Sequence, residues 1–242
     1  MLKIRYCMGI PESKDSGLDT LEECLDKDHY LSYTKDISYR YNSRGFRDHE
    51  WPEDLSNVVW CVGDSFTVGT GQPFEESWPQ VLEKKIGKRC INLGEDGCAN
   101  DTLALRIQEI CKLYKPKLIV VMWSYLHRRR IDGENVQFDK KDFGADRDLK
   151  NFIKNYELCA GEQTKIIHSI IPGIGLNSNY AIADNILSYI LQKKNSIHNL
   201  IVFPQLDYAR DHHHFDIKTS ELVTDLMIEK INTIDNSSKY PV

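Results

Sequence analysis

No apolar stretch in this sequence approaches the roughly 20 residues that cross a bilayer, and this speaks against a membrane span. Positive charge is not in excess. Lys and Arg number 31 against 36 Asp and Glu, a net charge of −5, so the broad basic face of a general nucleic-acid binder is missing. The seven cysteines include no Cys-x-x-Cys pair, their count is odd, and several fall inside apolar runs. That pattern favours buried thiols in a reducing compartment over a disulfide framework. The stretch from Met1 to Cys7 lacks the apolar core and small-residue cleavage site of a signal peptide. The expectation is a soluble protein of the cytoplasm, with later release or packaging in a virion left open. Internal repeats and low-complexity segments are also missing.

What is present fits one large α/β domain. The chain has 242 residues, 41% of them hydrophobic and 28% charged, enough for a sizeable core. Short apolar runs read as strands at Val58–Val62, Arg89–Leu93, Lys117–Trp123, Lys165–Ile171 and Leu200–Phe203. Between them, apolar residues at helical spacing predict helices from Ser77 to Ile86, from about Asn100 to Tyr114, over 148–160, over 180–193 and from Thr219 to Ile231. Ser77-x-x-Gln80 has the form of a capping box, Asn100 or Asp101 is placed to cap the next helix, and Gly87 stands where a helix would close. Residues 126–147 read as a long charged loop, and the tail from Asn232 as frayed. Strands alternating with helices predict a three-layer α/β/α domain around a five-stranded parallel sheet, flavodoxin-like in type. This domain spans 56–242. Residues 1–55 read as an extension packed on it, because Tyr30, Tyr33, Tyr41, Phe46 and Trp51 would otherwise expose much apolar area.

Two segments carry chemistry. The first strand breaks at Gly63-Asp64-Ser65, and the carboxyl end of a strand is where an open α/β sheet builds its site. Far along the chain, Asp211-x-x-His214 places an acid three residues before an imidazole, in the loop after the fifth strand. A serine nucleophile needs a base, and the base needs an acceptor that holds its tautomer. Ser65, His214 and Asp211 are the right types at one sheet edge. Asp64, next to the nucleophile on a tight turn, is assigned to holding that turn. Adjacent side chains diverge, so His212-His213-His214 reads as one functional histidine with two solvated neighbours and not as a metal site. Arg128-Arg129-Arg130 reads equally as an anion-binding run or as a solvated one.

Taken in order, these features resemble the SGNH, or GDSL, hydrolases. Gly63-Asp64-Ser65-Phe66-Thr67 resembles the nucleophile block, and Asn92-Leu93-Gly94-x-x-Gly97 resembles the second. Lys117–Trp123 resembles the strand that leads to the third block, and Asp211-x-x-His214 before an amphipathic helix resembles the last. The Asn42–Arg47 segment is similar to an approach found in some members, phage-encoded ones included. The resemblance implies a serine esterase with a Ser65-His214-Asp211 triad and backbone oxyanion donors at Ser65 and Gly97. It implies no cofactor and no metal. The substrate class it suggests is a small-molecule or carbohydrate ester carrying an O-acyl group, acetyl first, without nucleic-acid or membrane partners and with oligomers or a larger assembly open. One departure stands out. The family's third block supplies an asparagine amide to the oxyanion, whereas this strand ends Trp123-Ser124-Tyr125-Leu126-His127. Ser124, then Tyr125, rank as replacement donors, with His127 also polar. Two alternatives stay beside the esterase: an inactive binding or structural module, and an O-acyltransferase using the same triad.

Overall fold

The structure, a computed structural model, describes residues 12–13, 15–137, 145–160, 164–172 and 200–237. Its centre is a five-stranded, wholly parallel sheet. In chain order, a small antiparallel pair comes first, β1 (Glu12–Ser13) with β2 (Tyr39–Arg40), and α1 (Lys27–Ser32) lies between its strands. The sheet is built from β3 (Val59–Gly63), β4 (Cys90–Gly94), β5 (Leu118–Trp123), β8 (Lys165–Ile170) and β9 (Leu200–Ile201), in the spatial order β4-β3-β5-β8-β9. Strand order therefore reverses between β3 and β5. In such sheets the crevice beyond the carboxyl ends at the reversal is the place for a site.

Every residue of β3 and β4 is buried, which suits their short, nearly unbroken apolar runs. Helix α3 (Trp78–Ile86) packs with α6 (Ile217–Ser237), and α4 (Asn100–Tyr114) packs with α5 (Ala145–Ala160), so the sheet is covered on both faces. Trp60, Trp78 and Trp123 are fully buried in the core between these layers. The six described cysteines are all buried. Among the described residues no helix is long and apolar enough to cross a membrane.

Four local expectations change. The capping box at Ser77 is not made: its hydroxyl donates to the Phe74 carbonyl at 2.7 Å, and no side chain caps α3. At α4 the cap position is Ala99, because the Asn100 side chain is engaged with Ser124, just past the end of β5. Residues 126–147 are not simply loop. They include a hairpin of β6 (Arg128–Ile131) and β7 (Glu134–Gln137), turned at Asp132 and Gly133 with φ of 50° and 92°. Asp-Gly is the pair such a turn selects, because both central residues need positive φ. The last helix runs on to Ser237, past the expected fraying point at Asn232. The helix expected over 180–193 lies outside the described residues.

The amino-terminal segment lies against the rest of the molecule. Phe46 is fully buried and Trp51 meets Trp60 edge-on at 5.3 Å. Arg47, only 2% exposed, reaches into the loop after the first sheet strand, donating to the carbonyls of Val68, Gly69 and Gln72 and of Ser38 in its own segment.

Candidate active site

Ser65 begins the short helix α2 (Ser65–Val68) at the carboxyl end of β3. Asp64 caps that helix, its carboxylate accepting from the Phe66 amide at 3.1 Å, so the turn-holding role expected of it is visible. The turn demands glycine before it. A Cβ on Gly63 would stand 1.9 Å from Thr67 Oγ1 and 2.9 Å from the Met122 carbonyl oxygen. Nothing larger fits under a helix that starts this abruptly.

The acid–base loop arrives from the other end of the chain, between β9 and α6. His214 Nε2 lies 2.7 Å from Ser65 Oγ, and His214 Nδ1 lies 2.5 Å from Asp211 Oδ2. Asp211 Oδ1 accepts the backbone N–H groups of His213 and His214, both at 3.0 Å. Asp211 is thereby fixed by its own loop while it fixes the imidazole. Burial pulls the His214 pKa down. The charge and hydrogen bond of Asp211, with Asp96 and Asp64 behind, outweigh it, and the net shift is upward from 6.5. For Asp211 burial pushes upward, and His214 and the two backbone N–H groups overcome it, bringing the carboxyl down to about 2. The pair is arranged to hold a proton on Nδ1 and leave Nε2 for the serine.

Gly97 follows β4 with φ +68°, a conformation that suits glycine, and lines the same cleft as Ser65 and His214. The second-block loop is braced from within: Asn92 donates to the Thr67 carbonyl at 2.8 Å and accepts from the Gly94 amide at 2.8 Å. The cleft has a volume of 380 Å³ and is walled further by Asp96, Tyr125, His127, Arg128, His213 and, from the amino-terminal segment, Gly17 and Leu18.

The remaining site candidates are not all where the sequence pattern put them. Ser124 is fully buried and donates its hydroxyl to Asp64 Oδ2 at 2.6 Å, so that proton is committed to the nucleophile turn and not to an oxyanion. Tyr125 lines the cleft, with its hydroxyl 3.2 Å from His213 Nε2. The neighbours of His214 are not simply solvated. His213 is half-buried against Phe66 and Tyr125, and burial, with the charges of His214 and Arg128, lowers its pKa to about 4. His212 turns away, with φ of 57°, and stacks on His29 at 4.7 Å. Among the described residues no group of three His, Cys, Asp or Glu is placed to hold a metal. The arginine run divides. Arg128 is buried and paired with Asp64 at 2.9 Å, Arg129 pairs with Asp148 at 2.7 Å, and Arg130 is exposed.

Two contributions were not legible in the motifs. Asn100 ties α4 to the end of β5, accepting from the Ser124 amide at 2.8 Å and donating to the Ser124 and Tyr125 carbonyls. Arg128 was one of three consecutive arginines, and only the Asp-Gly turn could have shown which of them folds back inward.

No family model and no curated protein matches the chain. Solved structures do. The chain is similar to the psychrotrophic esterase EstA from Pseudoalteromonas sp., with 18% identity and a TM-score of 0.51 over 75% of this chain and 100% of that one. It is similar to a member of the lipolytic protein G-D-S-L family from Veillonella parvula DSM 2008, with 17% identity and a TM-score of 0.52 over 71% and 96%. An acetyl xylan esterase, AlAXEase, matches with 15% identity and a TM-score of 0.51 over 71% and 98%. The fold is a three-layer α/β/α sandwich with its crevice at the strand reversal. It is the SGNH-hydrolase, or GDSL, fold.

Proposed function

We propose that the protein is a serine esterase that removes a short O-acyl group, acetyl above all, from a carbohydrate alcohol. The observation that carries this reading is the unbroken chain Ser65 Oγ–His214–Asp211, with hydrogen bonds of 2.7 and 2.5 Å, opening on the cleft beside Gly97. Ser65 Oγ attacks the ester carbonyl carbon while its proton passes to His214 Nε2. The backbone N–H groups of Ser65 and Gly97 donate to the oxyanion. The bond to the alcohol then breaks, and the alcohol leaves with the proton from Nε2. Water attacks the acyl-enzyme while its proton passes to His214 Nε2, the bond from the acyl carbon to Ser65 Oγ breaks, and Nε2 returns the proton to Oγ as the acid leaves.

The cleft supports a short acyl group and a polar alcohol. Leu18 is the one aliphatic side chain among its described lining residues. The Asp96 carboxylate is exposed at its rim and accepts no hydrogen bond among the described residues, leaving an acceptor for substrate hydroxyls. The likeness to an acetyl xylan esterase favours the same substrate class. A fluorophosphonate probe should label the wild type and not Ser65→Ala. The wild type should hydrolyse p-nitrophenyl acetate faster than the octanoate, and Ser65→Ala neither. Equal labelling of both proteins would end the esterase reading, and preference for the octanoate would end the short-acyl part of it.

A further inference from the structure

The geometry points to Arg128 as a catalytic donor that completes the oxyanion hole, a role that rests on the esterase reading above. The groups at the carboxyl end of β5 leave few alternatives. Ser124 has given its hydroxyl proton to Asp64, and the Asn100 amide has given both N–H bonds to the Ser124 and Tyr125 carbonyls. Arg128 enters from the start of β6. Its Nη1 donates to Asp64 Oδ2 at 2.9 Å and to Ser124 Oγ at 3.0 Å. Asp64 is the residue before the nucleophile, so the guanidinium is moored to the turn that presents Ser65.

The opposite edge of the guanidinium is unspent. Nε is buried and has no acceptor among the described residues, and Nη2 donates to none of them. A buried N–H without a partner is uncommon in a native protein and asks for an explanation. The explanation here is positional. Arg128 is a wall of the same cleft as Ser65 and Gly97, and Nη2, which gives no hydrogen bond to the described residues, is the arm of the planar Nε–Nη2 fork left for an anionic oxygen there. Tyr125 lies under the guanidinium plane, 5.0 Å from ring centre to Cζ, and supports its orientation. Such a donor acts most strongly when negative charge develops on the carbonyl oxygen, and the desolvated site enhances it. The arginine would thus do from β6 what the family's asparagine does from the third block.

Kinetics on p-nitrophenyl acetate decide the matter. Arg128→Lys keeps a cation beside Asp64 and removes the fork. It should lower kcat by about 10²–10³-fold, the usual loss for one oxyanion donor, with KM changed by less than about twofold. Its melting temperature should stay close to that of the wild type. Arg128→Ala should be similarly slow, and added guanidinium ion should restore part of its kcat. A folded Arg128→Lys with kcat within about threefold of the wild type overturns the role, even if Arg128→Ala fails to fold. So does a variant whose KM rises for anionic esters while kcat holds, because Arg128 would then be a clamp on the substrate's own anion. A wild type that neither turns over the ester nor takes the phosphonate label defeats the esterase reading and this role together.

Discussion

His214 holds the site's acid–base behaviour in one ring. In the proposed mechanism the serine loses its proton only to neutral Nε2, so kcat/KM should rise with pH through the pKa of that imidazole in the free protein. That pKa is displaced upward from 6.5, chiefly because Asp211 outweighs the effect of burial. The acid limb of the pH–rate profile is therefore expected above pH 6.5. In Asp211→Asn the carboxylate that raises it is gone, and burial, with the charge removed, moves the limb down in pH. The same change also leaves Nδ1 without its tautomer-setting acceptor, and kcat should fall by about 10⁴-fold, as in other triads. A pH–rate profile of both proteins checks this. A limb that stays in place would show that another group controls it.

At the scale of elements, the acid–base loop depends on the amino-terminal segment. The Asp19 side chain is fully buried and receives Arg210 in a fork, Nε to Oδ1 and Nη2 to Oδ2, both at 2.8 Å, with the Tyr39 hydroxyl at 2.5 Å from Oδ2. Arg210 directly precedes Asp211. The Leu25 amide donates to the Asp211 carbonyl at 3.1 Å, and the Tyr33 hydroxyl donates to Asp216 at 2.9 Å. The loop that carries His214 is thus clamped between α6 and a segment nearly 200 positions away in sequence. Breaking a buried pair by removing one partner leaves an uncompensated charge and typically costs about 3–5 kcal/mol. Arg210→Ala should lose stability on that order in urea denaturation, and Asp19→Ala/Arg210→Ala should lose less than the sum of the two single variants. Strict additivity would show that the clamp is not a coupled unit.

For the whole molecule, stability and activity should favour different pH ranges. The raised His214 pKa contributes stability that is complete below its unfolded value near 6.5 and is lost as pH rises through the folded value. The Asp211 carboxyl, lowered from 3.8 to about 2, contributes stability that is present above 3.8 and is lost as pH falls toward 2. Together they favour the folded state most between about pH 4 and 6.5. In that window His214 is protonated, and the proposed esterase should be slow. The gap in melting temperature between wild type and Asp211→Asn should be widest near pH 5.5 and narrower at pH 9 and pH 3. A gap independent of pH would mean that the pair is not ionised in the folded protein.

Much of this molecule is local and could be read along the chain. A parallel strand buried on both faces needs an unbroken apolar run, so β3, β4 and β5 announce themselves. The break after such a run marks the sheet's carboxyl edge, which is enough to bring Gly63-Asp64-Ser65 and Asp211-x-x-His214 to one side. Side-chain commitments at that edge are different, because each depends on what arrives from elsewhere. Ser124 is a free hydroxyl until Asp64 comes within 2.6 Å. Asn100 is a helix cap until β5 presents the Ser124 amide. Arg128 is one of three equivalent cations until the hairpin turns it toward Asp64, Arg129 toward Asp148 and Arg130 to solvent. Hydrophobic pattern decides which backbone is buried, but a polar group has several acceptors of similar worth within reach. Only the packed tertiary structure, where an unmet buried donor is costly, decides which one it takes.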